Sequence, residues 1–389
     1  MKNHSQNNSF LVHKLSYPIS GLLAYTLILL LFIAFDGSVF AADSVGVDML
    51  MGGQGRANHQ KQIDNLVFEN GRTYTWEEYS GWGKEIFLNG FVKNPPTGPS
   101  PSKPVSKLFR CVVCHNYERE DPDLAVQDPE ARFKWIEETG REIFLIQGTT
   151  VWGVVNRETF YPDHFSKYHD LCVPKGKELA SWLTCGPLLG MCMPGCRTMN
   201  PASLADSTQI CSAYCSVGRY LKEWELDSLL AFFWDQEIKP EDLDLSPEQA
   251  AQAKAVLTSP ASTPQEVGTM STLLAGKYSK KAGNTFRGMP KAVTDNGGVT
   301  VEYEDGTKFT GNSDRGKRVW KLSCARCHDT KASPLTAKKA KHLSEDSEKF
   351  HEMLAKGTRH SFTRYMPNFT LERLSRQQAA DILMYLKQF

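Results

Sequence analysis

The sequence predicts an all-α fold built from two similar parts, and three observations lead to this prediction. Apolar residues recur at helical spacing, most clearly at Leu226, Leu229, Leu230 and Phe233, which places them on one face of a helix. The pattern Cys-x-x-Cys-His occurs twice, at 111–115 and at 324–328. The segments that flank the two patterns also align with each other, as in an internal repeat. We therefore expect two helical domains, each organised around one such pattern.

The Cys-x-x-Cys-His pattern is the attachment signature of a c-type haem. Two thiols at this spacing can each form a thioether to a vinyl group of one porphyrin, and the following His is then held beneath the iron. We therefore predict two covalently bound haem c groups. The predicted attachment residues and histidine ligands are Cys111, Cys114, His115, Cys324, Cys327 and His328.

Residues 1–41 have the layout of a secretory signal peptide, because Lys2 and Lys14 precede an apolar run at 19–35 and small residues follow. The alternative is an uncleaved membrane anchor, since 17 apolar residues reach the lower limit for spanning a bilayer. Attachment of c-type haem generally belongs to the outer side of the bacterial inner membrane. We therefore predict a periplasmic protein, with membrane contact only if this segment is retained.

The first haem domain is predicted at residues 75–238, after a polar lead-in at 42–74. A helix is expected over 75–92, with Trp76, Ile86 and Phe87 on its buried side. The segment 94–104 contains several prolines and is predicted to have no regular structure. A long insertion, rich in aromatic residues and cysteine, separates the first haem motif from a closing helix at 221–236.

A connector is predicted at residues 239–305. It contains one expected helix, opened by the capping-box sequence Ser246-Pro247-Glu248-Gln249. Alternation around Asp305-Gly306 then predicts a small β-hairpin over 300–310, just before the second haem motif.

Residues 306–389 resemble a class I cytochrome c domain over their whole length. Gly316-Lys317-Arg318-Val319-Trp320 corresponds to the opening helix, Met366-Pro367-Asn368-Phe369 to the distal loop, and 374–389 to the closing helix. The resemblance implies that His328 and Met366 are the axial ligands of the second iron. Such ligation raises the reduction potential and leaves no open position for a substrate.

The N-terminal half resembles the same domain with a large insertion. Gly83-Lys84-Glu85-Ile86-Phe87 parallels the opening helix, and the closing helices align without gaps at an offset of 153 residues. In this alignment Leu221 corresponds to Leu374 and Phe232 to Tyr385.

The distal ligand of the first haem stays open between several residues. The offset places Ala213 opposite Met366, and Cys211 and Cys215 flank that point. A cysteine thiolate would be a strong donor and would lower the reduction potential. The other candidates are Met193, Met199, His164, His169 or an open coordination site.

Six cysteines lie outside the haem motifs, and in an oxidising periplasm we expect disulfides among them. If 205–215 is helical, the Cβ atoms of Cys211 and Cys215 are about 5–6 Å apart, whereas a disulfide needs about 3.8 Å. These two would then pair elsewhere or reach a metal. The six residues are Cys172, Cys185, Cys192, Cys196, Cys211 and Cys215.

Charge is distributed unevenly along the chain. Residues 306–389 hold 17 Lys and Arg against 8 Asp and Glu, a net charge of +9, whereas 42–305 carry −9. This pattern predicts either mutual docking of the two parts or a basic surface that attracts an acidic redox partner.

The sequence favours an electron-transfer function between a donor and a terminal acceptor. The alternative is an oxidoreductase with substrate chemistry at the first haem, similar to a thiosulfate dehydrogenase or a peroxidase. The chain has no phosphate-binding Gly-Lys-Ser/Thr loop and no long basic run typical of nucleic-acid binding.

Overall fold

The computed structural model describes residues 55–68, 70–143, 148–158, 160, 172–174, 196–198, 203–259, 261–281, 283, 285–329, 334–361 and 364–389. The predicted signal peptide or anchor lies outside these residues, and so do residues 144–147, 159, 161–171, 175–195 and 199–202 of the Cys-rich insertion. Gly46–Phe389 forms one compact unit, and the division of this unit into two haem domains stays a prediction.

The described residues are mainly helical. The described residues do not include 1–54. Among them, no helix is long and apolar enough to cross a membrane. The α-helices are α1 Gly55–Asp64, α2 Trp76–Asn89, α3 Cys111–Cys114, α4 Pro129–Thr139, α5 Leu204–Ile210, α6 Glu223–Asp235, α7 Pro247–Thr258, α8 Pro264–Ala275, α9 Ser313–Ser323, α10 Ala325–His328, α11 Ala337–Glu345, α12 Ser347–Lys356 and α13 Arg376–Leu386.

Three small antiparallel sheets accompany the helices. The predicted hairpin is present as β4 (Val299–Glu302) and β5 (Lys308–Thr310), with Val301 opposite Phe309. A third strand, β3 (Ala292–Asp295), was not predicted and pairs with β4. The other two sheets, β1-β2 and β6-β7, were also not predicted. The strands are β1 Cys172–Pro174, β2 Cys196–Thr198, β3 Ala292–Asp295, β4 Val299–Glu302, β5 Lys308–Thr310, β6 Thr358–Ser361 and β7 Arg364–Met366.

Helices α2 and α6 cross at a glycine in the N-terminal half. A Cβ atom built on Gly83 would overlap the carbonyl oxygen of Ser228 and lie 2.8 Å from the Cβ of Phe232. Only a residue without a side chain lets the two helix backbones approach so closely. Around this crossing the apolar faces of both helices form a buried core that includes Ile86, Phe87, Leu229, Phe232 and Phe233.

Helices α9 and α13 cross in the same way in the C-terminal half. A Cβ on Gly316 would overlap the carbonyl oxygen of Asp381 and lie 3.0 Å from the Cβ of Tyr385. These two contact residues stand at the predicted offset of 153 from those of the first crossing. The alignment deduced from the sequence therefore pairs residues that occupy the same positions in both helix crossings.

The connector contains two helices rather than the one that was predicted. Helix α7 begins at the predicted capping box, in which Ser246 and Gln249 cap each other. Helix α8 begins with the same signature, a capping box between Thr263 and Glu266 followed by Pro264. The prediction of a single helix was therefore wrong.

Helix α4, which belongs to the insertion of the first half, lies against the C-terminal half. Phe133 packs on the C-terminal core, and the guanidinium of Arg315 lies 5.1 Å from its ring. Arg315 also pairs with Glu130, and Arg318 pairs with Glu137 at 2.8 Å. Acidic residues of one half thus neutralise basic residues of the other, which is the mutual docking that the charge pattern allowed.

Candidate haem sites

A mostly apolar cavity lies beside the first Cys-x-x-Cys-His segment. Cys111, Cys114 and His115 form part of its wall. Most of the remaining wall is apolar and includes Ile86, Phe87, Val105, Val151, Val154, Leu204, Leu221, Leu229 and Phe233.

The ring of His115 is fixed by Gly148 and Thr149. Its Nδ1 donates a hydrogen bond to the carbonyl oxygen of Thr149 (2.7 Å), so the lone pair of Nε2 is available to a metal. Burial lowers the pKa of His115 and so favours the neutral, metal-binding form. Gly148 packs on the ring so closely that a Cβ would lie 2.5 Å from its Cε1 atom.

The second motif is built into the C-terminal core. Cys324 is buried there, and Met366 and Trp320 pack against the same core. The ring of His328 stacks on that of Trp320, with 5.6 Å between the ring centroids. The backbone N–H of Phe369 donates to the carbonyl oxygen of Leu354 (2.8 Å), which ties the segment after Met366 to α12.

The two attachment motifs contact each other. The side chains of Cys114 and Cys327 interact, which raises the pKa of Cys114 and lowers that of Cys327. The short helices α3 and α10, on which these residues lie, are also in contact. This contact joins residues far apart in the sequence, and no sequence pattern predicted it.

Cys211 and Cys215 lie in the wall of the first cavity, together with His115. Helix α5 continues there into a π-helical turn, Cys211–Cys215, a geometry that is frequent at functional sites. Val217, just beyond the turn, has φ of +54°, a strained conformation for a β-branched residue. The side chains of the two cysteines interact, which together with burial raises the pKa of Cys211.

The other predicted candidates for this distal position lie outside the described residues. This holds for His164, His169, Met193 and Met199. It also holds for Cys185 and Cys192 and for the side chains of Cys172 and Cys196, so the predicted disulfides of the insertion stay predictions.

Two arginines near the first motif were not singled out from the sequence. Arg157 lines the cavity and donates to the carbonyl oxygen of Thr150 (3.2 Å). Arg373, which comes from the C-terminal half, also lines it and pairs with Glu120, and both of these side chains are buried. Isolated arginines without a motif carry no sequence pattern that marks them as part of a site.

The residues around the first motif fit a haem. The cavity offers an apolar wall for a porphyrin, two thiols for thioethers and a histidine with Nε2 available. Burial lowers the pKa of Arg157 only to about 10, so that it is cationic at neutral pH and can face the carboxylate side chains of a porphyrin.

Residues 311–386 match the family described as cytochrome c oxidase, cbb3-type, subunit III. No curated protein matches the chain, and no solved structure does. The matched segment contains the second Cys-x-x-Cys-His motif and Met366. It supports a c-type cytochrome domain in the C-terminal part of the chain, with covalently bound haem c and a role in electron transfer.

Proposed function

We propose that the protein is a periplasmic dihaem cytochrome c that passes electrons between a donor and a terminal acceptor. The observation that carries this proposal is the contact between α3 and α10, the short helices of the two attachment motifs, with Cys114 beside Cys327. Haem c supplies one-electron chemistry. Each thioether sulfur is bonded to a former vinyl group of its porphyrin, so neighbouring sulfurs bring two redox groups together.

The chain's own residues hold the two groups in different environments. In this proposal His328 and Met366 ligate the second iron, and His115 with Cys211 or Cys215 ligates the first. A thioether ligand raises the reduction potential, whereas a thiolate, a stronger donor, lowers it. Electrons would therefore pass downhill from the first haem to the second.

A potentiometric titration of variants that lack one attachment site tests the relay. In Cys111→Ala/Cys114→Ala only the second haem remains, and we expect its reduction potential to differ from that in the intact protein. The reason is that the charge of one oxidised haem shifts the reduction potential of a close neighbour. The reciprocal variant is Cys324→Ala/Cys327→Ala. If each haem titrates identically with and without the other, the two do not form a relay.

Substrate chemistry at the first haem is the second candidate function. The absence of methionine from the described part of the cavity wall favours it. Electron paramagnetic resonance of the oxidised protein separates the candidates. A high-spin signal that changes on addition of cyanide would indicate an open iron and an enzyme, whereas two low-spin signals favour the relay.

The variants Cys211→Ser and Cys215→Ser serve as controls for each other in that experiment. If one thiolate is the distal ligand, only one of the two substitutions converts the first haem from low spin to high spin. If neither alters the spectrum, both cysteines are excluded as ligands.

We further propose that an acidic redox protein docks on the basic C-terminal part of the chain. Helix α11 presents Lys338, Lys339 and Lys341 as exposed residues, and a cationic surface accelerates encounter with an anionic partner. With ferricyanide as an anionic probe, Lys338→Glu/Lys339→Glu should slow oxidation at low ionic strength. Lys103→Glu/Lys107→Glu changes the net charge by the same amount at exposed positions of the other half and should not slow oxidation. Equal slowing in the two double variants would indicate an effect of net charge alone.

A further inference from the structure

The segment that follows Met366 contributes to the first haem cavity as well as to the second haem site. Asn368, Thr370 and Arg373 line the cavity that contains His115. These residues lie a few positions after Met366, the predicted ligand of the second iron. One short segment of the C-terminal half therefore reaches both sites.

Arg373 makes the most specific of these contacts. Its guanidinium pairs with the carboxylate of Glu120, and its Nη2 also donates to the carbonyl oxygen of Gly148 (2.9 Å). Burial alone would raise the pKa of Glu120, but the guanidinium groups of Arg373 and Arg132 outweigh it and lower that pKa to about 2. The pair is thus charged and enclosed, a geometry in which a bidentate arginine is rigidly held.

Glu120 and Arg373 together hold residues 148–150. Glu120 accepts a hydrogen bond from the backbone N–H of Thr150 (3.2 Å), while Arg373 binds the carbonyl of Gly148. The carbonyl of Thr149 belongs to the same peptide group as the N–H of Thr150, and it is the acceptor for Nδ1 of His115. The orientation of the histidine ring therefore depends on a side chain from the opposite half of the molecule.

We propose that Arg373 is a positioning residue for the first haem: through Gly148 and Glu120 it fixes the carbonyl that orients His115, and so couples the C-terminal half to the first iron. This inference rests on the proposed function, in which His115 ligates a haem. The hydrogen bond to the second ring nitrogen of a ligating histidine determines both its orientation and its basicity. The segment that ends at Arg373 thereby links the environments of the two irons.

The test uses the full chain with its haem groups attached and compares three variants. Arg373→Gln removes one positive charge and leaves Glu120 unpaired, which stabilises the oxidised first haem. At a fixed ambient potential we expect its reduced-to-oxidised ratio to fall about tenfold, the order of effect of one nearby charge in a protein interior. Its g-values should change as well, and those of the second haem should not.

Arg373→Lys separates charge from position. It keeps the cation but loses the planar fork that spans Glu120 and Gly148. We expect the potential of the first haem to stay near its original value while its g-values still change. Should Arg373→Gln fail to fold, Glu120→Gln/Arg373→Gln leaves no unpaired buried charge and carries the same spectroscopic test.

Arg132→Gln is the matched control. Arg132 is equally buried, pairs with Asp121 at 2.7 Å and donates to the carbonyl oxygen of Glu372 (3.2 Å), but it makes no hydrogen bond to residues 148–150. Its loss should lower stability and leave the g-values of both haems unchanged. Equal g-value changes in Arg132→Gln and Arg373→Gln would reduce Arg373 to a structural role and overturn the inference.

Haem content, measured first, distinguishes the two possible failures. A chain that carries only the second haem overturns the proposed function itself. If the chain carries two haems but Arg373→Gln does not change the g-values of the first, this inference is overturned and the proposed function stands.

Discussion

His351 is a fully buried histidine in the C-terminal core with no hydrogen-bond partner for either ring nitrogen among the described residues. Its ring packs edge-on against Tyr303 and Phe350. Burial, with a smaller contribution from the cationic Arg287, lowers the pKa of His351 to about 3. The residue is therefore neutral in the folded protein at every pH near neutrality.

This burial predicts a loss of stability in acid. In the unfolded chain His351 is protonated below a pKa of about 6.5. In the folded chain it stays neutral down to about pH 3, so the free energy of unfolding falls as the pH falls from about 6.5 to about 3. From pH 7 to pH 5 the contribution is about 2 kcal/mol. We expect His351→Phe to remove this component from the urea unfolding free energy; an unchanged pH dependence would show that His351 is protonated when folded.

Met366 is the residue on which the assignment of the second iron depends. We expect Met366→Ala to lower the reduction potential of the second haem, because a potential-raising thioether is lost, and to open its iron to carbon monoxide. Met384 packs against the same core without a predicted role as ligand, so Met384→Ala is the control. If carbon monoxide binds Met366→Ala no better than the original protein, Met366 is not the ligand.

At the scale of elements, the crossing of α2 and α6 is tested by comparing two glycines of α2, Gly83 and Gly81. Gly83 faces the backbone of α6, whereas Gly81 has no atom near its Cβ position. Gly83→Ala should lower the free energy of unfolding by about 1–3 kcal/mol or more through overpacking. Gly81→Ala should raise it by about 0.5–1 kcal/mol. Urea denaturation measures both, and an innocuous Gly83→Ala would contradict the close crossing.

Local start signals identified α2 and α7, although α8, which carries the same kind of signal, was missed. The helix expected over 75–92 is present as α2, which begins at a capping box between Thr75 and Glu78 and ends at Gly90, where φ is +80°. Strand β3 was missed because its residues are mostly exposed and lack a clear alternation. Its place is determined by pairing with β4, a contact that periodicity within a segment does not report.

The arrangement of the whole molecule was predicted only in part. The uneven charge distribution allowed mutual docking, and the pairs of Arg315 with Glu130 and of Arg318 with Glu137 show where docking occurs. The contact of Cys114 with Cys327 was not predictable, because it depends on how separate helices pack. The same holds for Arg373, whose partner Glu120 lies in the other half.

The number of haem groups is the central claim, since the relay, the distal cysteine and the role of Arg373 all require a first haem at 111–115. The most direct measurement is the intact mass of the full chain, purified from a host that attaches c-type haem. We predict a mass that exceeds the polypeptide by two haem groups, and by one in Cys111→Ala/Cys114→Ala. A single haem in the unmutated protein would contradict the account.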